Sequence, residues 1–261
     1  MKQNKSQMWK HIMENVLENT GILAVCTIYI ITFIGFSINR IDGINAYQDI
    51  FCILDCYVFM MSPMFYMTLI VFPLIITLSF STKHDFMAIR ITKYNSWKQL
   101  LKMQEGKILI YSVIYALIFM LVIGVIGQFP VKADFNWNVE QSYFYMKSET
   151  TTNMGLLELL VFLFLMCVIR NIIIQNILLI SLWVKNNIIY GIIAVFSIIF
   201  FEMNQPRMSM LLKLYTADYY IWSRQALRLR MVYGVLIYCL IGFIIFRFIT
   251  SNKEVIGIEK I

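Results

Sequence analysis

The stretch ILIYSVIYALIFMLVIGVIG, Ile108 to Gly127, decides the fold class of this chain, because it contains no charged residue. An α-helix rises about 1.5 Å per residue, so a helix of this length crosses the roughly 30 Å hydrocarbon core of a bilayer. Residues 20–38 and 57–80 are charge-free in the same way. The three stretches are continuously apolar rather than alternating, which favours helices over barrel strands. The sequence therefore predicts an all-α integral membrane protein.

Three further apolar segments complete a predicted bundle of six transmembrane helices: residues 154–184, 188–203 and 231–249. We treat 154–184 as one helix, because two helices from it would each have about 15 residues, short of the roughly 20 that a crossing requires. The composition agrees, since 60% of the 261 residues are hydrophobic and 14% are charged. Residues 1–261 are expected to form a single transmembrane domain.

The distribution of lysine and arginine predicts the orientation of the chain. Residues 1–19 and 81–107 are basic and are separated by two predicted helices, so both are expected in the cytoplasm. Loops 39–56 and 128–153 carry more acidic than basic residues and are expected outside. Loop 204–230 departs from the rule, because it is basic although six helices place it outside. Both termini are then cytoplasmic.

Three segments outside the predicted transmembrane helices have a mixed composition. Apolar residues recur at spacings of three and four from Met8 to Leu17, which is typical of an amphipathic helix in the membrane interface. The aromatic residues of loop 128–153 predict that it rests on the outer interface. Phe86 to Leu101, FMAIRITKYNSWKQLL, is too apolar for a free loop and too charged for a transmembrane helix. It fits a short helix that docks in a groove of a soluble partner, or a membrane-surface helix without a partner.

Arg170 is the clearest candidate for a functional residue inside a predicted helix. A charged side chain at the bilayer centre costs about 2.5–3.5 kcal/mol on insertion scales, so it must be compensated. Asn171 and Gln175 are one turn apart beside it, and they give part of the helix a polar stripe. This stripe either lines a substrate path or joins two helices in a state-dependent way. The alternative is a fixed pair between Arg170 and a carboxylate of a neighbouring helix.

The sequence gives little support to enzymatic chemistry. The two histidines, His11 and His84, form no metal-binding pattern, and neither a G-x-S-x-G motif nor a P-loop occurs. Cys52 and Cys56 are four residues apart, but a metal between them needs two further ligands, so we interpret them as part of an ordinary helix end. No metal or cofactor is expected in this chain. The net charge of +7 is explained by basic cytoplasmic loops, so nucleic acid is not an expected partner.

The chain resembles the small permease subunits of type 2 ABC exporters, which are common in Gram-positive bacteria. The resemblance covers the interfacial N-terminal helix, the six helices and the basic segment between the second and third of them. Locally it rests on Ile89-Arg90 and Ser96-Trp97-Lys98, and on the ending FRFITSNKEV, Phe246 to Val255. The chain lacks the E-A-A loop of importer permeases and the large external domain of exporters that act on lipoproteins or macrolides.

This resemblance implies a multi-pass subunit of the bacterial cytoplasmic membrane that pairs with a second permease subunit, identical or related. It also implies soluble ATPase subunits, which bind ATP and Mg. The cytoplasmic segment would be the coupling helix, contacting the ATPase through Phe86, Ile89, Arg90, Lys93, Trp97 and Lys98. The expected substrate is amphipathic or hydrophobic: a peptide antibiotic such as a lantibiotic, a drug or a lipid-like molecule. The alternative is a non-transporting membrane sensor or interaction protein, and a membrane enzyme comes third.

Overall fold

The computed structural model describes residues 50–61, 70–82, 97–129, 131, 135–185 and 187–204, with isolated positions between 27 and 35 and between 219 and 247. The described residues form helices and turns, and no β-strand is found among them. The helices are, in chain order, α1 (Ile53–Met60), α2 (Phe72–Thr82), α3 (Trp97–Ile126), α4 (Tyr143–Ser148), α5 (Leu156–Lys185) and α6 (Ile189–Asn204). The predicted all-α class is confirmed for this part of the chain.

Two of these helices, α3 and α5, are long and apolar enough to cross a membrane. Each has 30 residues, or roughly 45 Å, which exceeds the hydrocarbon thickness of a bilayer. The prediction that residues 154–184 form one helix is confirmed, because α5 is unbroken. Helix α3 starts at Trp97 instead of at residue 108. Trp97 and Lys98 therefore belong to this long helix and not to a separate short one.

The other predicted helices are described only in part. Helices α1 and α2 fall at the two ends of the predicted segment 57–80, and α6 corresponds to 188–203 with 16 residues. Segments 20–38 and 231–249 contain isolated helical positions. The N-terminal interfacial helix predicted at 8–17 lies outside the described residues.

The helices pack around α3 and α5, which lie side by side and share the most extensive contact. Helix α6 packs on α5, α2 lies against both long helices, and α1 lies against α3. The approach of α6 to α5 is close at Gly191, where a β-carbon would lie 2.8 Å from the α-carbon of Leu178. Small residues allow such close contacts between helices in membranes.

Both faces of α3 are apolar, although only one of them is buried. The buried positions include Tyr111, Tyr115, Phe119 and Ile123. The exposed ones include Leu109, Leu117, Leu121 and Val125. A helix on the surface of a water-soluble protein carries polar residues on its outer face. The outer face of α3 is suited to lipid instead.

Candidate functional site

The strongest candidate site is a group of buried polar side chains between α3 and α5, called here the polar layer: Ser112, Arg170, Asn171 and Gln175. None of the four is more than 1% exposed. A buried polar group without a hydrogen bond is costly, so the partners of these side chains determine what the layer does. The structure therefore brings the three residues of the predicted stripe together with one residue of α3 that the sequence did not single out.

Ser112 of α3 is held by two side chains of α5. The Nδ2 atom of Asn171 donates to the carbonyl oxygen of Ser112 over 3.2 Å. The Nε2 atom of Gln175 donates to the Ser112 hydroxyl oxygen over 2.9 Å. Because Asn171 and Gln175 are one helical turn apart, they face α3 from the same side of α5. The polar layer thus fixes the register between the two membrane-length helices.

The polar layer also contains an acceptor that no described residue satisfies. The Oε1 atom of Gln175 is buried and has no hydrogen-bond partner within the described part of the chain. An unsatisfied buried acceptor costs about 1–3 kcal/mol. A small donor, such as water or an amide or hydroxyl group of a bound molecule, would remove this cost by hydrogen bonding beside Ser112.

Arg170 connects the polar layer to α1. Its Nη1 atom donates to the carbonyl oxygen of Met61 over 3.4 Å, and Met61 is the C-cap residue of α1. Carbonyl groups at the end of a helix carry partial negative charge, so a cation is favourable there. The charge is thereby placed against a helix terminus inside the bundle.

Two further polar contacts join α2 to α3. The hydroxyl groups of Thr77 and Tyr115 are 2.6 Å apart and share a hydrogen bond. Nearer the start of α3, the Nζ atom of Lys107 donates to the carbonyl oxygen of Ser81 over 3.0 Å. Lys107 is only 4% exposed. Buried hydrogen bonds therefore connect α3 to its neighbours at several levels along its length.

Of the six residues predicted to contact a soluble partner, the structure describes two, Trp97 and Lys98. The ring of Trp97 is half-buried and meets the ring of Trp183 edge-on, with centroids 5.8 Å apart. Trp183 in turn donates from Nε1 to Oε1 of Gln104 over 2.7 Å. Lys98 is exposed. The other four positions lie outside the described residues: Phe86, Ile89, Arg90 and Lys93.

A second cluster, called here the outer cluster, lies beyond the opposite end of α3: Asp55, Trp137, Phe144 and Tyr219. The carboxylate of Asp55 is fully buried. Its Oδ1 atom accepts a hydrogen bond from Nε1 of Trp137 over 2.9 Å. Its Oδ2 atom accepts one from the backbone N–H of Cys52 over 2.8 Å. Burial raises the pKa of this carboxyl group, although its hydrogen bonds act in the opposite direction.

The sequence did not predict the outer cluster. Loop 128–153 is predicted to rest on the outer membrane interface, and within it Trp137 and Phe144 are fully buried against the protein. The sequence nevertheless contained a signal for this cluster. Trp137 carries an indole N–H, which needs a hydrogen-bond acceptor when it is buried. Asp55 stands in the first turn of α1, the position from which an acidic side chain caps the helix.

Comparisons of the chain with the models of protein families, with curated proteins and with solved structures give no match. The described part of the chain is all-helical, and two of its helices are long and apolar enough to cross a membrane. The polar layer lies between those two helices.

Proposed function

We propose that this chain is the transmembrane subunit of an ATP-driven ABC exporter. It moves an amphipathic or hydrophobic substrate, such as a peptide antibiotic, a drug or a lipid-like molecule, out of the cell or the membrane. A separate ATPase subunit supplies the energy, and a second permease subunit completes the membrane part. The observation that carries the proposal is the polar layer, in which a charged side chain and two amides are buried between membrane-length helices.

The composition of the polar layer supports a path with more than one state. Charged and amide side chains in membrane helices are expensive and usually mark substrate or ion pathways. Asn171 and Gln175 both donate hydrogen bonds to Ser112. A small shift of α5 along α3 exchanges these bonds for others, and packed helices respond to such shifts in discrete steps. The open acceptor of Gln175 offers a contact to a passing substrate.

The six-helix arrangement in a bacterial cytoplasmic membrane is part of the proposal. In this arrangement the basic loop 204–230 lies outside the cell. Tyr219 of this loop contacts Trp137, with ring centroids 5.9 Å apart. Trp137 belongs to loop 128–153, the acidic loop expected outside. The contact favours a common side for the two loops, because residues on opposite sides of a bilayer do not touch.

The start of α3 supports coupling to a cytoplasmic partner. The segment expected to dock on the ATPase, Phe86 to Leu101, overlaps the start of α3 at Trp97. Trp97 touches Trp183 near the end of α5. A displacement of the docking segment therefore acts directly on both membrane-length helices. Nucleotide binding then supplies the difference in affinity that shifts the bundle between its states.

The test is a pull-down of the tagged full-length chain from its native host in mild detergent, with mass spectrometry and an ATPase assay. We expect a soluble ATPase to co-purify, and we expect Arg90→Ala to release it. Lys147→Ala is the matched control, since it removes the same charge at an exposed position in the loop after α3. Both variants must be present in the membrane in equal amounts.

The outcome separates two classes of function. Retention of the ATPase by Arg90→Ala and by a second variant, Lys93→Ala, would show that these residues are not the coupling contact. Purification of the chain without any nucleotide-binding partner would contradict the exporter and favour the non-transporting sensor or interaction protein.

A further inference from the structure

The outer cluster joins three distant segments of the chain at one buried carboxylate. Asp55 belongs to α1, Trp137 to the segment after α3, and Tyr219 to the segment after α6. Trp137 donates to Asp55 over 2.9 Å, and the hydroxyl of Tyr219 is hydrogen-bonded to the same carboxylate. Phe144 stacks on Trp137 with ring centroids 4.5 Å apart. A change at this carboxylate acts on all three segments at once.

We propose that Asp55 makes the outer cluster a proton-dependent latch, closed when its carboxyl group carries a proton and loosened when the group ionises. The physical reason is desolvation, since burial of a charged carboxylate is costly even with hydrogen-bond donors around it. Opening the cluster to water removes that cost. The ionised form of Asp55 therefore favours the open cluster, and the neutral form favours the closed one.

The sign of the pH dependence follows from linkage. In the closed cluster the pKa of Asp55 is raised above its ordinary value of 3.8, with burial as the largest cause. In the open cluster water restores the ordinary pKa. The closed form therefore binds the proton more tightly, so acid closes the latch and rising pH opens it. Between the two pKa values, the opening equilibrium changes about tenfold per pH unit.

The neighbouring groups do not reverse this sign. Among the residues that the structure describes, the titratable and charged groups near the carboxylate, from every element packed against it, are Cys52, Cys56, Tyr143, Lys147 and Tyr219. Burial raises the pKa of both thiols and of the Tyr219 hydroxyl, so all three stay neutral from acid to neutral pH. The Nζ atom of Lys147 lies 5.4 Å from the ring centroid of Tyr143 and not on the carboxylate itself.

The test measures the accessibility of Cys52, which is fully buried next to Asp55. The full-length chain, with its other cysteines replaced by alanine, is purified in detergent. It is treated with 4,4′-dithiodipyridine, which reacts with thiols in acid as well as at neutral pH. A Val139→Cys variant without Cys52 provides the reference, because Val139 is 46% exposed. The ratio of the two rates reports the opening of the latch, and we expect it to rise with pH.

Two variants of the carboxylate and its donors sharpen the test. Asp55→Asn has no charge at any pH, so we expect a ratio that does not change with pH. Tyr219→Phe keeps the ring contacts but loses the hydroxyl group, whose hydrogen bond lowers the pKa of Asp55. Without it the ionised closed form is less stable, so we expect more labelling than in the parent chain above neutral pH.

Three results would overturn the latch. They are a flat ratio in the parent chain, a ratio that still rises with pH in Asp55→Asn, and a Tyr219→Phe profile that coincides with that of the parent. The measurement uses the chain alone, without an ATPase or a substrate. Its failure is therefore distinguishable from a failure of the proposed exporter function, which depends on the partner.

Discussion

Gln175 of α5 and Ser112 of α3 join the two membrane-length helices by a hydrogen bond of 2.9 Å between Nε2 and the hydroxyl oxygen. Both side chains are fully buried. In lipid there is no hydrophobic difference between the inside of a bundle and its surroundings, so packing and polar contacts of this kind hold helices together. The contact is therefore a candidate for the main specific link between α3 and α5.

We predict a measurable interaction between these two residues in a double-mutant cycle. Ser112→Ala and Gln175→Leu are made singly and together, and the free energy of unfolding is measured by SDS titration in mixed micelles. The expected interaction free energy is about 0.6–1.7 kcal/mol, the range of hydrogen bonds between membrane helices. Leu121→Ala, at a 67% exposed position of α3, is the control and should not interact with Gln175→Leu. Additive effects of Ser112→Ala and Gln175→Leu would contradict the link.

We also predict that Gly191→Ala destabilises the contact between α5 and α6. The new methyl group would lie 2.5 Å from the hydroxyl oxygen of Ser181 and 2.8 Å from the α-carbon of Leu178. The Ser181 side chain can turn away, but the α-carbon of Leu178 can move only if the helix shifts. The expected loss of stability is therefore about 1–3 kcal/mol. Thermal unfolding in detergent measures it.

Gly242→Ala is the matched control for this variant, because nothing lies within 4 Å of its added β-carbon. Alanine has a higher helix propensity than glycine, so this control should be as stable as the parent or more so. Equal stability of the two variants would mean that α6 does not lie as close to α5 as the structure indicates.

Helices α3 and α5 were predictable because length and apolarity are properties of a local stretch of sequence. The extension of α3 back to Trp97 was not predictable, because hydropathy places the start of the apolar helix after the last charged residue, Lys107. Lys102 and Glu105 are exposed on one side of the helix, while Lys107 is buried through a hydrogen bond to Ser81. Only the tertiary structure shows that the helix continues through these charges to Trp97.

The two candidate sites differ in the same way. Arg170, Asn171 and Gln175 stand out in the sequence, because polar residues are rare in an apolar helix. Their partner Ser112 does not stand out, since a single serine in a membrane helix is common. The outer cluster was missed because Trp137 and Tyr219 lie outside the predicted transmembrane helices, and no local pattern shows that distant segments meet at one carboxylate.

Lys107 is predicted to stabilise the end of α2. Its Nζ atom donates to the carbonyl oxygen of Ser81 in the last turn of that helix, where a cation is favourable. Lys107→Met removes the donor and leaves a buried carbonyl, so we expect a loss of about 1–3 kcal/mol in the free energy of unfolding. Lys102→Met, at an exposed position of α3, should lower the free energy of unfolding by less. A Lys107→Met chain as stable as Lys102→Met would rule out this role.

The last prediction concerns Arg170 and depends on the proposed exporter function. Loss of a buried charge eases membrane insertion, because an arginine at the helix centre costs about 2.5–3.5 kcal/mol. We therefore expect Arg170→Met to reach the membrane at or above the level of the parent chain. Substrate-stimulated ATPase activity of the assembled complex should nevertheless fall at least about tenfold, a loss of roughly 1.4 kcal/mol in the barrier.

Lys185→Met is the control for Arg170→Met, because it removes a positive charge at the exposed end of the same helix and should leave the activity unchanged. Parent-level activity in Arg170→Met would exclude the arginine from the substrate path. A chain that no longer assembles would indicate instead that the bond from Arg170 to Met61 is a fixed structural contact between α5 and α1.

Arg170→Lys distinguishes charge from geometry, since lysine keeps the charge but lacks the planar set of donors. Retained activity in that variant would assign the role to the charge.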